Sequence, residues 1–363
     1  MSIYRAVFIG PIAKNVLIKT NDVSLASINW LNNVYEAYRD NHKKRICESW
    51  SMRQQRSWPF GSLFPYFSKR ELHLNSVAIK YMNIKLLKEF SIFIVLLIRL
   101  FSIKKIDQDR KTVLYFYNLE WYYVALLKIM TAIRRRDRFK ANLLLLDYDL
   151  NDQNRNKFEL YLTKFDRVYS CSNWIVKELI FTHPNITFFS GGISKKNHSK
   201  TLYPNNKVIY SGKYDIYGGV NAVIDAIRLS REFEFEWHFT GNGISNELQN
   251  LSGIRSDIHI HGVLDVSDLD ELVAKCYNKL IPGDFNVNSY KTVFPSKVWM
   301  YLASGGRLIS VDYPGYPLKL RERLLIVSND GQDFLKCLRN WQMDKIIKTP
   351  EQFMLYNQIN ILE

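Results

Sequence analysis

The chain has 363 residues, of which 47% are hydrophobic and 14% aromatic, a composition that excludes a disordered protein and a length that accommodates two domains. The net charge of +15 lies in the first half, where residues 1–200 contain 33 Lys and Arg against 16 Asp and Glu, while residues 201–363 contain 17 against 19. This asymmetry predicts an anionic partner for the first half, with a generally solubilising surface as the alternative, and no DNA- or RNA-binding motif accompanies it, so nucleic acid is not expected.

Strand and helix patterns alternate along the first half. The apolar run at residues 4–10 predicts a strand and not a signal peptide, because Pro11 and Lys14 follow it in place of a small-residue cleavage site. Helix patterns follow at 24–38, 119–133, 154–165 and 173–180, and strand patterns at 111–117, 141–149, 166–172 and 186–192.

Two segments of the first half depart from this alternation. Residues 46–80 are rich in Arg, Ser, Trp and Phe and are interpreted as an irregular active-site or surface insertion. The most hydrophobic segment, SIFIVLLIRLFSI at 91–103, contains Arg99 and is shorter than the roughly 18–20 residues that span a membrane. We interpret it as a buried core helix, with a surface-lying helix as the alternative.

The pattern restarts after a polar linker at residues 195–206. Strands are predicted at 207–212, 235–241, 258–262, 278–283 and 307–312, with helices at 218–230, 244–251, 267–276 and within 292–306. Apolar strands that alternate with helices are typical of parallel sheets covered on both faces. The predicted fold is therefore α/β, with two doubly wound Rossmann-like domains, 1–200 and 201–363, facing a central cleft. The last helix is a candidate to pack back on the first domain.

The stretch TVFPSKVWMYLASGG at residues 292–306 raises a question of charge. Pro295 suits a helix start, Ser296 can cap it, and Gly305 and Gly306 suit its end. Lys297 then stands where the helix dipole already concentrates positive potential, which predicts an anion at this position.

Ligands of doubly wound sheets bind at the carboxyl ends of the strands. The polar residues and glycines that follow predicted strands are Asp147, Asp149, Gly212, Lys213, Gly241, Asn242 and Gly243, and the Pro295–Lys297 turn follows another. His238 and His259 lie within strand patterns and are interpreted as sheet residues. The four cysteines form no CxxC pair, which argues against zinc and disulfides and favours a reducing compartment.

The ordered set VIYSGKYDIYGGVNAVIDAI, FTGNG, IHIHGVLDVSDLDELVAKC and VFPSKVWMYLASGGRLIS resembles the donor domain of GT-B-fold glycosyltransferases, of the group 1/family 4-like type that builds bacterial surface polysaccharides. The match covers about residues 205–312. In the first half, LLLLDYD, DRVYSCSNWIVKEL and ITFFSGGIS resemble the later part of the acceptor domain more loosely.

The resemblance implies roles for these residues. Gly212, Lys213, Ser296 and Lys297 are expected to bind the donor diphosphate, and Gly241, Asn242, Gly243 and Pro295 the nucleotide. Asp147 or Asp149 is expected to act as base or to orient the acceptor, with capping of the next helix as the structural alternative. No metal or cofactor is expected beyond the nucleotide-sugar co-substrate.

Three positions depart from the family pattern. Met300 stands where relatives carry a ribose-binding glutamate, Thr292 where many carry a sugar-binding glutamate, and Gly218 where a second lysine is usual. A degenerate, non-catalytic partner subunit therefore stays open as an alternative. A non-hydrolysing nucleotide-sugar epimerase, which has the same fold, is a second alternative.

The expected function is transfer of a hexose from a nucleotide-diphosphate donor to a lipid-linked or polysaccharide acceptor, in the synthesis of O-antigen, capsule or exopolysaccharide. The basic first domain is expected to bind an anionic membrane surface. The expected location is the cytoplasm, peripheral on the inner face of the plasma membrane.

Overall fold

The computed structural model describes residues 2–12, 25–53, 57–69, 71–85, 87–103, 110–146, 154–193, 204–214, 219–243, 245–283, 289–340 and 353–362. Two compact units make up the chain. The N-terminal unit comprises Met1–Ser194 and Leu355–Glu363, and the C-terminal unit comprises Lys195–Met354. The domain boundary expected at residue 200 falls in the stretch 194–203, which lies outside the described residues.

A seven-stranded parallel sheet forms the centre of the N-terminal unit. Its strands are β1 (Ser2–Gly10), β2 (Ile46–Ser51), β3 (Ser76–Ala78), β4 (Arg110–Tyr117), β5 (Phe139–Leu145), β6 (Arg167–Ser170) and β7 (Ile186–Phe188). They lie in the order β3-β2-β1-β4-β5-β6-β7, with β1 hydrogen-bonded to both β2 and β4. From β1 the chain adds β2 and β3 on one side and then β4 to β7 on the other, which is the arrangement of a doubly wound sheet.

Helices cover both faces of this sheet. They are α1 (Leu25–Asn41), α2 (Lys88–Phe101), α3 (Trp121–Ala132), α4 (Arg155–Leu162) and α5 (Asn173–Leu179). Apolar side chains of α2 to α5 share one core with strand residues such as Ile9 and Phe116. On the other face, Tyr35 and Tyr38 of α1 pack edge-on against Phe8 of β1.

Residues 46–80 are more regular than predicted. The segment begins with β2 and ends with β3, which pair in register from Ser49↔Ser76 to Ser51↔Ala78. A three-residue edge strand has no side-chain pattern to reveal it, because its pairing is decided by the neighbouring strand. Between the two strands, exposed aromatic side chains stand at Trp58, Phe60, Phe64 and Tyr66.

The apolar segment at 91–103 is a surface helix, which corrects the interpretation as a buried core helix. In α2, Ile92, Leu96 and Leu100 are buried, while Ile94 and Ile98 are exposed. Within the part of the chain that the structure describes, no helix has the length and hydrophobicity required to cross a membrane.

The C-terminal unit contains a six-stranded parallel sheet in the order β10-β9-β8-β11-β12-β13. Its strands are β8 (Lys207–Ser211), β9 (Glu236–Thr240), β10 (Ile258–Ile260), β11 (Asn278–Ile281), β12 (Arg307–Ser310) and β13 (Leu325–Ile326). If the six strands are numbered 1 to 6 along the chain, their order in the sheet is 3-2-1-4-5-6, which is the strand order of a Rossmann domain. In such a domain the ligand crevice lies where the strand order reverses, which here is between β8 and β11.

Seven helices among the described residues accompany this sheet. They are α6 (Val220–Leu229), α7 (Asn246–Ile254), α8 (Val266–Lys275), α9 (Ser289–Thr292), α10 (Lys297–Ser304), α11 (Leu318–Arg321) and α12 (Gly331–Arg339). A Cβ at Gly331 would collide with the backbone of α6, so this glycine lets α12 pack closely against it. The last helix, α13 (Leu355–Gln358), and the 3-10 turn after it pack against α1 within the N-terminal unit.

Candidate functional site

The carboxyl ends of β8 and β9 lie side by side and are joined by backbone hydrogen bonds. The amide of Gly212 donates to the carbonyl of Thr240 at 2.9 Å, and the amide of Tyr214 donates to the carbonyl of Asn242 at 3.0 Å. The two glycine-containing turns that the sequence placed at a ligand site therefore form one surface.

Glycine is required where these turns meet. Gly241 has a φ of +142°, and a Cβ at this position would overlap the carbonyl oxygen of Gly212. Gly243 has a φ of +107°, a conformation that residues with a Cβ rarely adopt. The close approach of the two backbones leaves main-chain atoms, and not side chains, at the edge of the sheet.

Helix α10 is fixed to the end of β8 through both backbone groups of Ser211. The Lys297 ammonium donates to the Ser211 carbonyl at 2.7 Å, and the Ser211 amide donates to the Tyr301 hydroxyl at 3.0 Å. Because Lys297 and Tyr301 are four residues apart, they lie on the same face of α10. Lys297 therefore has a structural partner, which the sequence argument about an unopposed cation did not foresee.

The Lys297 ammonium lies at the centre of the site. It stands 4.9 Å from the centroid of the Tyr210 ring, and a Cβ at Gly212 would come within 3.1 Å of it. No described Asp or Glu carboxylate lies within 4.0 Å of it. Burial lowers the pKa of Lys297 to about 8. The group is thus still mostly protonated at neutral pH, and a bound anion is the kind of ligand that stabilises its charged form.

The first turn of α10 differs in detail from the prediction. The helix begins at Lys297, with Ser296 as its N-cap and Pro295 before the cap. Ser296 has a helical φ of −58° and makes no capping hydrogen bond with its side chain, so its predicted capping role is wrong. The amides of Val298 and Trp299 already donate to the carbonyls of Pro295 and Ser296, at 3.0 and 3.2 Å.

The remaining predicted residues divide into two groups. Lys213 is exposed beside the site, and its carbonyl accepts a hydrogen bond of 2.5 Å from the Tyr210 hydroxyl. Asn242 is half-buried in the β9 turn. Asp147 and Asp149 lie outside the described residues, as does Gly218.

Several residues that support Lys297 and the two glycine turns were not identified from the sequence. Tyr210 lies under Lys297, and Tyr301 fixes α10 to β8. Gly219 has a φ of +69°, and a Cβ at this position would collide with the backbone of Gly283, just after β11. The absence of a side chain at Gly219 thus allows the start of α6 to approach the Rossmann crevice. The four-residue spacing of Lys297 and Tyr301 was the one available signal, because the other contacts join distant parts of the sequence.

Two surface cavities lie away from this edge. One, of about 510 Å³, is lined by Phe139 and Lys140 at the start of β5 and by Asp166 just before β6. The other, of about 520 Å³, lies between α6 and α12 and includes Leu229, Leu335 and Arg339. The first stands at the amino ends of the strands, the edge opposite to the one where doubly wound sheets bind ligands.

The arrangement can bind a polyanion. It combines the ammonium of Lys297, a half-buried residue, with the main chain of two glycine turns at the crevice of a Rossmann sheet. Among the residues that the structure describes, no group of three or more His, Cys, Asp or Glu side chains could hold a metal ion.

Comparisons with known proteins identify the fold. No family model and no curated protein matches the chain. Among solved structures, the lipopolysaccharide outer core galactosyltransferase WaaB has a TM-score of 0.61 at 14% identity, over 98% of both chains. The catalytic domain of starch synthase IV from Arabidopsis thaliana, bound to ADP and acarbose, has a TM-score of 0.60 at 12% identity, over 99% of this chain and 95% of that one.

A third similar structure is a putative UDP-N-acetylglucosamine 2-epimerase from Listeria monocytogenes, with a TM-score of 0.58 at 11% identity, over 100% of this chain and 95% of that one. These likenesses cover both units, and they show that the chain has the GT-B fold, as the sequence predicted.

Proposed function

We propose that the protein is a glycosyltransferase that moves a sugar from a nucleotide-diphosphate donor, held by the C-terminal unit, to an acceptor held by the N-terminal unit. The observation that carries the proposal is the position of the Lys297 ammonium, between the carboxyl end of β8 and the start of α10 and beside the backbone of Gly212. Departure of a nucleoside diphosphate needs positive charge at this kind of place. The similar starch synthase structure contains ADP, a ligand of the same chemical class.

In this proposal the donor diphosphate lies against Gly212, Lys213, Ser296 and Lys297, and the nucleoside lies near Gly241, Asn242, Gly243 and Pro295. The pyrophosphate replaces the solvent around the Lys297 ammonium and strengthens its hold on the proton. Lys297 then stabilises the charge that develops on the leaving group. Asp147 or Asp149 accepts the proton of the acceptor hydroxyl or orients the acceptor.

We propose a lipid-linked or polysaccharide acceptor of the kind used to make bacterial surface polysaccharides such as O-antigen or capsule. The support is the basic character of residues 1–200, which suits an acceptor with a lipid diphosphate at a membrane surface. The proposed location is peripheral, on the inner face of the plasma membrane.

Two readings compete with this one. The similar putative epimerase favours a non-hydrolysing nucleotide-sugar epimerase, which uses the same fold and donor class. Met300 and Thr292, where relatives of the resembled family carry glutamates, favour a degenerate partner subunit. An epimerase would convert its nucleotide sugar with no acceptor present, and a degenerate subunit would convert none.

The test is a two-part comparison of wild type with Lys297→Ala. Thermal unfolding with UDP, GDP, dTDP and ADP should identify a stabilising nucleotide, and Lys297→Ala should lose most of that shift. Incubation of the matching nucleotide sugars with a membrane extract should give sugar transfer by wild type alone. If no nucleotide stabilises the wild type, or if Lys297→Ala turns over unchanged, the proposed donor site is wrong.

The acceptor-side residues need a separate test. Asp147→Asn or Asp149→Asn should retain the thermal shift with nucleotide, because the C-terminal unit is intact, while one of the two loses roughly 10²- to 10⁴-fold in transfer rate. Retained transfer in both variants would leave these aspartates with a capping role.

A further inference from the structure

Helix α2 is apolar on the face where a surface helix is normally polar. Its sequence, KEFSIFIVLLIRLF, has only Lys88, Glu89, Ser91 and Arg99 as polar residues. Ile92, Leu96 and Leu100 pack into the core of the N-terminal unit. A helix that is hydrophobic all round is normally enclosed on every side.

The exposed side of α2 forms a continuous apolar stripe. Its members recur at spacings of three and four residues, which places them on one face: Leu87, Phe90, Ile94, Ile98 and Phe101. Ile98 is 62% exposed and Phe90 is 56% exposed. Contiguous apolar patches of this kind on a soluble surface mark an interaction site.

Arginines border the stripe at the carboxyl end of α2. The Arg135 guanidinium donates to the Phe101 carbonyl at 3.1 Å and lies 5.1 Å from the centroid of the Phe101 ring. Arg138 donates to the carbonyl of Ile103 at 3.2 Å, and Arg134 is exposed next to Arg135. The cationic groups are thus held beside the apolar side chains by contacts within the fold.

An aromatic side chain stands near the other end of the stripe. Trp121, at the start of α3, is 42% exposed, stacks 6.4 Å from Phe93 of α2, and donates its indole N–H to Glu89. Tryptophan is enriched where an apolar layer meets water, because its ring is apolar and its N–H is polar.

We propose that α2 lies in the headgroup region of an anionic phospholipid bilayer, with the stripe inserted between lipids and Arg134, Arg135 and Arg138 on their phosphates. This inference rests on the proposed membrane attachment of the N-terminal unit, and it identifies α2 as the surface that contacts the membrane. An apolar helix face bordered by arginines is the composition of helices that lie in a membrane interface. Charge complementarity selects the bilayer, since a second copy of this chain would bring the same arginines against these.

The experiment measures binding of the full-length chain to vesicles. Co-sedimentation with phosphatidylcholine vesicles that contain phosphatidylglycerol is compared with pure phosphatidylcholine, at low salt, for wild type and an Ile94→Gln, Ile98→Gln double variant. Both isoleucines are exposed, so the double variant should fold normally, as its unfolding temperature will show. We expect its affinity for anionic vesicles to fall at least ten-fold.

Two controls separate the stripe from general effects. Ile254→Gln removes an isoleucine that is 80% exposed on the C-terminal unit and should bind like wild type. Arg134→Gln with Arg135→Gln should weaken binding to anionic vesicles by about five-fold for each arginine. Lys319→Gln with Lys336→Gln removes the same charge from exposed positions of the C-terminal unit and should have little effect.

Three results would overturn the inference. Equal binding by the Ile94, Ile98 variant would show that another surface contacts the membrane, while membrane attachment itself would stand. A wild-type dimer that this variant converts to monomer without vesicles would show that a second copy covers the stripe. If wild type ignores anionic vesicles at low salt, membrane attachment fails too, whereas donor binding is judged separately by the nucleotide thermal shifts.

Discussion

At the scale of single residues, Lys297 serves the fold and the proposed site together. Its ammonium holds the Ser211 carbonyl, and its partial burial keeps the pKa near 8, within reach of ordinary pH changes. The sequence indicated an anion at this position from charge alone. Only the structure shows that the same ammonium also fastens α10 to β8.

This pKa predicts how donor binding depends on pH. With a pKa of about 8, Lys297 is mostly charged at pH 7 and mostly neutral at pH 9, so affinity for the stabilising nucleotide should fall roughly ten-fold across that range. Isothermal titration calorimetry at pH values from 7 to 9 measures this change in nucleotide affinity. Lys297→Arg, which stays charged, should bind with little pH dependence, and an equally flat wild-type profile would argue against contact between Lys297 and the diphosphate.

Gly241 makes a second prediction at this scale. A Cβ there overlaps the Gly212 carbonyl and must also accept a φ of +142°, so Gly241→Ala should destabilise the C-terminal unit by about 3 kcal/mol or more. Gly253, within α7, has no atom within 4 Å of its added Cβ. Gly253→Ala should therefore be neutral or stabilise by up to about 1 kcal/mol. Urea denaturation distinguishes them, and comparable midpoints for the two variants would contradict the proposed close approach.

At the scale of elements, the sequence located most helices and strands of both sheets, since long apolar patterns decide them. It missed β2, in which two of the buried residues are serines, Ser49 and Ser51, so that no continuous apolar run marks the strand. It also missed β3 and β13, with three and two residues, because pairing with a neighbouring strand defines such short edges. It also placed α2 in the core. The hydrophobic pattern of the sequence shows that a helix is apolar on all sides. It does not show whether the outer face is covered by another part of the protein or by another medium.

Strands β9 and β10 carry a histidine cluster whose pH behaviour follows from burial. His238 pairs in register with His259, and its Nδ1 lies 3.0 Å from Nε2 of His261. Its Nε2 lies 3.1 Å from the Glu236 carboxylate, but burial outweighs this attraction and lowers the pKa of His238 to about 4. The sequence interpreted His238 and His259 as sheet residues, and both lie in the paired strands.

The sign of the effect on stability is fixed by this pKa. An unfolded histidine binds a proton below pH 6.5, whereas folded His238 resists it until about pH 4, so the free energy of unfolding should decrease as pH falls through this range. The expected loss is about 2–3 kcal/mol. Urea denaturation at pH 7.5, 6 and 5 should show a smaller decrease for His238→Gln, each protein being referred to its own value at pH 7.5. A decrease as large as in wild type would show that other groups cause it.

At the scale of the whole molecule, the end of the chain belongs to the first unit. The amide of Leu355 donates to the Ile193 carbonyl at 2.9 Å, and the Tyr115 hydroxyl of β4 donates to the Leu362 carbonyl at 2.8 Å. From the sequence, the return of the last helix was only a candidate. No local pattern predicts it, because its partners lie more than a hundred residues earlier in the chain.

This return predicts that the final residues stabilise the N-terminal unit. Ile359 and Leu362 are fully buried, so Leu362→Ala should cost about 2–4 kcal/mol through lost apolar contact and the cavity that remains. Ile361, between them, is 37% exposed, and Ile361→Ala should cost less than about 1 kcal/mol. The thermal shift with nucleotide should persist in both variants, because the donor site lies in the other unit. A Leu362→Ala protein as stable as Ile361→Ala would mean that the C-terminal segment contributes little to the N-terminal core.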